Sequence, residues 1–409
     1  MTISPPSKVD RIPTCSAPIL ASGVDTLDLA IDVVWKDESF FEYLSEMKAL
    51  AQQEEKDVAI TFGAREGQAP LLLAIKPHGN KGHEWVLHGN DYSLTIGNWL
   101  KPKTRPSIMA HIHSEALWSL GPEAALDILL TLLRQSGAQM QGVKPSRVDL
   151  CVDYLMPEKL WSLNLLKYKV TRAAYCASHI RHNALTGISI GKGKIAARLY
   201  DKPLEIKQKS KKFWMYDVWG IQSVPEGYRI IRIESQFRRE AIKELGIDLA
   251  GDLFDHLDNL WAYFSQEWLK FQNNPGKHHL SRKTLPFWAT IQNGFFGVQD
   301  ARPLIRCQSL QTKKKQLAAQ VYGTANSFIA IEQEEKGEAL GHETTLKKSL
   351  HSLGKYFEQN GKNEFELNID IFTKRAKYHK AKTKMLEVHK QRNALGFPSN
   401  LPIDLNTKE

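Results

Sequence analysis

The stretch SRVDLCVDY, residues 146–154, decides the reading of the fold, because polar and apolar residues alternate without a break from Arg147 to Asp153. Successive side chains of a strand point to opposite faces. Arg147, Asp149, Cys151 and Asp153 therefore share one face, while Val148, Leu150 and Val152 go to the core. RIIRIESQFRRE, residues 229–240, sets Arg232, Glu234 and Gln236 against Ile233, Ser235 and Phe237 in the same way. Strands with one polar face belong to antiparallel sheets, and helical spacings lie between them, so the class is α+β.

Working outward, TGISI and IAARLYD flank Gly191-Lys192-Gly193-Lys194, a compact connection that reads as a hairpin. Further strands are expected at LDLAIDVVW, VAITFG, PLLLAIKP and EWVLHG. Helices are expected over FFEYLSEMKALAQQ, over PEAALDILLTLLRQ with its leucine stripe, through LWSLNLLKYKVTRAAYCA, and over the long stretch DLFDHLDNLWAYFSQEWLKF. Leu27–Asp32 matches Val148–Asp153 in pattern at all six positions. A duplicated unit leaves such an echo, and so does chance.

The chain of 409 residues carries 55 Lys plus Arg against 45 Asp plus Glu, a formal charge of +10. That balance suits an anionic polymer as partner. The four cysteines, Cys15, Cys151, Cys176 and Cys307, form neither a CxxC pair nor a zinc spacing. No long apolar run occurs, so the expectation is a reduced, cytoplasmic protein away from membranes. Three regions are expected: a loose tail over 1–20, a catalytic domain over 21–280, and a basic, mainly helical region over 281–409. HLSRKTLPFWATIQNGFFG reads as the connector into the last region. There Lys313, Lys314 and Lys315 open one helix, and Lys374, Arg375, Lys377, Lys380, Lys382 and Lys384 crowd another.

The chemistry centres on Tyr200. If ARLYDK is extended, Arg198 and Lys202 flank the phenol on its own face, the setting of a phosphate attacked by tyrosine. Asp149, Asp153 and Glu234 join it if the three strands are neighbours, and hard oxygen ligands of this kind suit Mg²⁺ or Mn²⁺. Each strand turning a charged face to solvent is the plainer alternative. His111-Ile112-His113 is a rival metal pair, and Tyr216, among Phe213, Trp214 and Trp219, is a candidate for stacking on bases.

TGISIGKGKIAARLYDKPLE, with RVDLCVD before it and RIESQFRRE after it, resembles the replication initiation factor family, the trans-acting rolling-circle initiators of phages and plasmids and related conjugative relaxases. ALWSLGPEAAL and QTKKKQLAAQVYGT extend the resemblance to roughly residues 100–330. It implies a nucleophile at Tyr200 and metal carboxylates at Asp149, Asp153 and Glu234. Lys192 and Lys194 stand where the family's hairpin has an Arg-Ser or Lys-Ser pair. With Arg232 and Lys313–Lys315 they form the expected DNA contacts. The implied activity is nicking and rejoining of one strand through a 5′-phosphotyrosyl link. Its substrate is origin DNA, single-stranded at the nick, with host helicase and polymerase as partners and room for a homodimer. A basic DNA-binding protein without catalysis is the other reading.

Overall fold

The computed structural model describes residues 19–62, 71–273, 282–295, 304, 310–337 and 345–360, with positions 371 and 375. Most of the expected N-terminal tail and most of the C-terminal basic cluster lie outside these residues.

In the first half, strand β1 (Ile19–Trp35) leads through helix α1 (Ser39–Gln53) to a meander, β2 (Val58–Phe62), β3 (Leu71–Ile75), β4 (Trp85–His88), β5 (Tyr92–Ile96) and β6 (Ile108–Ile112). Helices α2 (Ser114–Leu120) and α3 (Pro122–Gln135) close this half. The second half opens on β7 (Ala138–Pro157) and β8 (Lys169–Thr171). It continues through β9 (Cys176–Arg181), β10 (Ala184–Ile190), β11 (Ile195–Asp201), α4 (Lys202–Glu205), α5 (Met215–Trp219) and β12 (Tyr228–Arg238). After α6 (Arg239–Glu244), α7 (Ala250–Phe254) and α8 (Leu257–Ala262) come β13 (Leu269–Phe271) and α9 (Pro286–Gln292). Helices α10 (Leu310–Glu335) and α11 (Leu346–Gln359) complete the described elements.

Eleven strands form one antiparallel sheet in the order β2-β3-β4-β5-β6-β1-β7-β12-β11-β10-β9, and β8 pairs with β13 apart from it. The two halves repeat one topology: the opening strand stays central, and a meander starting at the far edge returns to pair with it. β6 returns to β1, and β12 returns to β7. Leu27 lies directly opposite Val148, its counterpart in the six-residue echo, as a two-fold axis between two antiparallel copies requires. The register extends the correspondence, since Asp28 faces His111 where Asp149 faces Gln236.

One face of the sheet is the core. Leu27, Leu29, Ile31, Ile112, Val148, Leu150, Val152 and Ile233 are all fully buried, as the alternation predicts. Tyr92 donates from its hydroxyl to the Ala125 carbonyl of α3 at 2.8 Å, and Phe41 of α1 packs on Trp85, fixing both helices to this face. The β10–β11 turn uses glycine where it must. Gly191 has φ +77°, and a Cβ there would lie 2.9 Å from both the Ile195 carbonyl oxygen and the Trp268 ring.

Three expectations need correction. The segment 160–177 is no helix but a short 3₁₀ turn over Leu163–Tyr168, then β8 and the start of β9. Trp161 pins its beginning by donating its indole N–H to the Leu185 carbonyl, and β8 is taken up by pairing with β13. The long helix over 252–271 breaks into α7, α8, a π-helical turn over Tyr263–Trp268 and β13. The expected connector carries α9, whose Phe287, Trp288 and Ile291 are buried, with Trp288 donating to the Ser265 carbonyl at 2.9 Å. The compact first unit therefore runs to Ile305, beyond the boundary expected near residue 280, and the second spans Arg306–Glu409. Within the second unit α10 and α11 form a helical pair, with Phe328 against Tyr356 and Ser352 donating to Glu332.

Candidate active site

On the face opposite the core, β11, β12 and β7 are adjacent, so the three polar-faced strands are neighbours. Their register makes rows. Tyr200 lies opposite Arg232, and Arg232 opposite Asp153. One step along the strands Arg198 faces Glu234 and Glu234 faces Cys151, and one step further Gln236 faces Asp149.

Tyr200 donates its hydroxyl to Glu234 Oε2 at 2.9 Å, and Arg198 Nη1 donates to Glu234 Oε1 at 2.9 Å. One carboxylate is thus held between a phenol and a guanidinium. Arg198 remains 46% exposed while Glu234 is almost wholly buried, so the site opens toward solvent at the arginine. Lys202 does not continue the strand; it begins α4, pairs with Glu205 at 2.7 Å, and sits over the Tyr200 ring at 5.6 Å from its centroid.

Deeper in, Arg232 is fully buried and donates twice to Asp153, from Nε and Nη2, each at 2.7 Å. Trp219 of α5 donates to the same carboxylate at 2.8 Å. Arg232 Nη1 reaches Asp25 at 2.6 Å, a residue sequence reasoning missed. In β1, Val24 pairs with Leu150 and Thr26 with Asp149, which leaves Asp25 as the extra residue of a β-bulge. The bulge brings its carboxylate to the site face, where Trp118 also donates to it. Strict alternation would have put Asp25 on the core side with Leu27 and Leu29, so an acid in a core slot was the available signal. Helices α2 and α5 roof this end through Trp118 and Trp219. Gly23 admits the Trp118 indole, since a Cβ would lie 3.3 Å from the ring.

The electrostatics follow from this packing. Burial, and then the Glu234 carboxylate, hold the Tyr200 phenol well above its ordinary value. Glu234 is itself raised to about 6, chiefly by burial and then by the charges of Asp25 and Asp149. Burial also raises Asp149. For Asp25 burial is again the largest effect, but Arg232, Lys202 and Lys212 together outweigh it and hold the carboxyl below its usual range. The expected cations remain near the phenol, Lys202 over its ring and Arg198 on the shared carboxylate, but the direct partner of the hydroxyl is Glu234, which accepts its hydrogen bond.

The carboxylates do not fit a divalent ion as they stand. Asp153 has both oxygens taken by Arg232 and Trp219, Asp149 is held in a two-pronged pair by Arg147, and Glu234 is shared by Arg198 and Tyr200. No group of three or more acidic, histidine or cysteine side chains among the described residues converges on a metal-sized site.

The other expected residues lie elsewhere. Lys192 and Lys194 occupy the hairpin at the far end of β11 from Tyr200. Lys192 sits 3.8 Å above the Tyr175 ring, and Lys194 pairs with Glu244 at 2.6 Å. Lys313, Lys314 and Lys315 belong to α10, where Lys314 is exposed and the side chains of the other two lie outside the described residues. His111 pairs with Asp28, and His113 accepts from or donates to Ser93 at 2.8 Å, so both serve the first half of the sheet. Tyr216 packs edge-on against Trp219 in the roof. No protein-family model and no curated protein matches the chain.

Proposed function

We propose that the chain is a DNA nicking-closing enzyme, acting in the cytoplasm to start rolling-circle replication or mobilisation of a phage, plasmid or integrated element. The observation that carries this reading is the hydrogen-bonded series Tyr200–Glu234–Arg198, a nucleophile, its base, and a third group orienting the base. Tyrosine is a weak nucleophile near its free pKa of ~10, and here it is held higher still, so attack as a preformed phenolate is disfavoured. A carboxylate 2.9 Å away supplies the alternative.

In this mechanism Tyr200 Oη attacks the scissile phosphorus while its proton passes to Glu234. The bond to the 3′-oxygen breaks, and a 5′-phosphotyrosyl link forms. The departing 3′-oxygen takes a proton from water, Glu234 later returns the tyrosine's proton to solvent, and the 3′-hydroxyl is left as a primer end for a polymerase. Arg198, the exposed cation beside Glu234, is placed to meet the phosphate oxygens as charge develops. Attack by a 3′-hydroxyl on the phosphotyrosine reverses the step and closes the strand. Mg²⁺ or Mn²⁺, expected from the hard oxygen ligands of the three strands, enters no step.

The test is a denaturing gel of labelled single-stranded origin DNA incubated with protein. The wild-type chain should give a slow-migrating covalent adduct, and Tyr200→Phe should give none while binding the DNA with unchanged affinity. An adduct with Tyr200→Phe removes the nucleophile. Binding without any adduct leaves the chain a non-catalytic origin-binding protein.

A further inference from the structure

A cleft of about 400 Å³ lies at the end of the sheet where β7 and β11 finish and β10 and β12 begin. Tyr200 belongs to that same end: it pairs with Gly187, and Leu185, in the cleft wall, is two residues along β10. Strand geometry puts the two backbones roughly 8 Å apart, from about 3.3 Å per residue along and about 4.8 Å across. Nothing in the nicking chemistry uses this cleft.

Its lining defines what it can hold. Trp161 is buried in the wall and locked by its bond to the Leu185 carbonyl at 2.8 Å. Leu163 and Ile180 stand on the rim, 47% and 53% exposed, an unusual state for two large aliphatic side chains facing one opening. Asn164 and Asn183 add amide donors and acceptors. The charged part of the wall is not cationic on balance. Arg229 bonds Glu158 and, at 2.9 Å, Asp201, so one guanidinium answers two carboxylates. A phosphate gains little there. A flat neutral group with polar edges gains apolar contact on its faces and hydrogen bonds at its rim, and the volume is near the small end of ligand pockets, about 300–1,000 Å³.

We propose that this cleft receives one unpaired nucleobase of the strand presented to Tyr200, holding a nucleotide next to the scissile phosphate. The inference rests on the nicking reading and extends it from where the strand is cut to how it is gripped. Holding an extruded base in a pocket that stacks and reads its edge is a general device of proteins acting on unpaired strands.

The probe is a single-stranded DNA octamer of each base, paired with an octamer of equal charge built from abasic residues, titrated by fluorescence anisotropy against the full chain. The wild-type protein should bind at least one base-bearing octamer about tenfold or more tighter than the abasic one, within the range for stacking of a single base. The double variant Leu163→Ala/Ile180→Ala should lose most of that difference, whereas Tyr200→Phe should keep it. Both changed side chains are exposed, and an unchanged far-UV spectrum confirms folding; Asn164→Ala gives a second, milder variant expected to lose part of it. Equal affinity for base-bearing and abasic octamers, or a base preference that survives in both cleft variants, overturns the cleft and leaves the nicking reading standing. Failure to bind either octamer overturns the cleft, and the adduct test on origin DNA decides the nicking reading separately.

Discussion

Glu234 has to be ionised to accept the Tyr200 proton, and its value of about 6 puts that requirement near neutrality. The rate of adduct formation should therefore fall as pH drops through about 6, and a pH–rate series on one oligonucleotide checks it. Arg198 holds Glu234 down, so Arg198→Gln should move this acid limb to higher pH as well as slow the reaction. Asp153 has a different task. Removing it as Asp153→Ala strips the fully buried Arg232 of its two-pronged partner, and breaking a buried pair in this way costs about 3–5 kcal/mol. Urea unfolding should show that loss, whereas Asp149→Asn, beside the half-exposed Arg147, should cost much less. The residue types of the site were legible from strict alternation, which placed Asp149, Asp153, Tyr200 and Glu234 each on the polar face of its own strand; that the strands are neighbours came from the sheet order. Their partners were not legible, because which arginine meets which acid depends on strand order and register, and no local pattern encodes either.

Where the periodicity was clean, elements followed from it: β7, β10, β11, β12, α1 and α3 lie where alternation or a leucine stripe put them. It misled where apolar residues were dense. The segment 160–177 has leucines at spacings a helix would use, but the Trp161 anchor and the β8–β13 pairing overrule that local preference. The bulge at Asp25 is the element on which the site's charge balance turns. Asp25→Asn keeps the shape of the side chain and removes one of the charges that raise Glu234, so the acid limb of the pH profile should shift below its wild-type position. An unshifted limb would show that Asp25 only holds Arg232. Deleting residue 25 removes the carboxylate while leaving the ladder in register, since Val24 would still meet Leu150 and Thr26 would still meet Asp149.

The compact first unit ends at Ile305, and the exposed Lys314 belongs to the second. A protein truncated after residue 305 should still form the tyrosyl adduct with a single-stranded oligonucleotide. It should bind duplex origin weakly and with a shallower dependence on salt, because fewer phosphates are contacted. Equal duplex affinity and slope from the truncated chain would place recognition in the sheet itself. The repeated topology was hinted at by six residues and became visible only through the Leu27–Val148 register, a contact between residues over a hundred positions apart. That separation sets a clock on biosynthesis. β1 can find β6 once the first half has emerged, but its other edge waits for β7, and between Trp35 and Ala138 a ribosome adding ~5–20 residues per second spends ~5–20 s. For that interval a seventeen-residue strand has the edge that will meet β7 without its native partner, and until β6 emerges its other edge is open as well. Neighbouring ribosomes on one message carry the same open edge within reach of each other, so crowded translation, more than heat or denaturant, is the condition under which this chain is most exposed to pairing with its own copies.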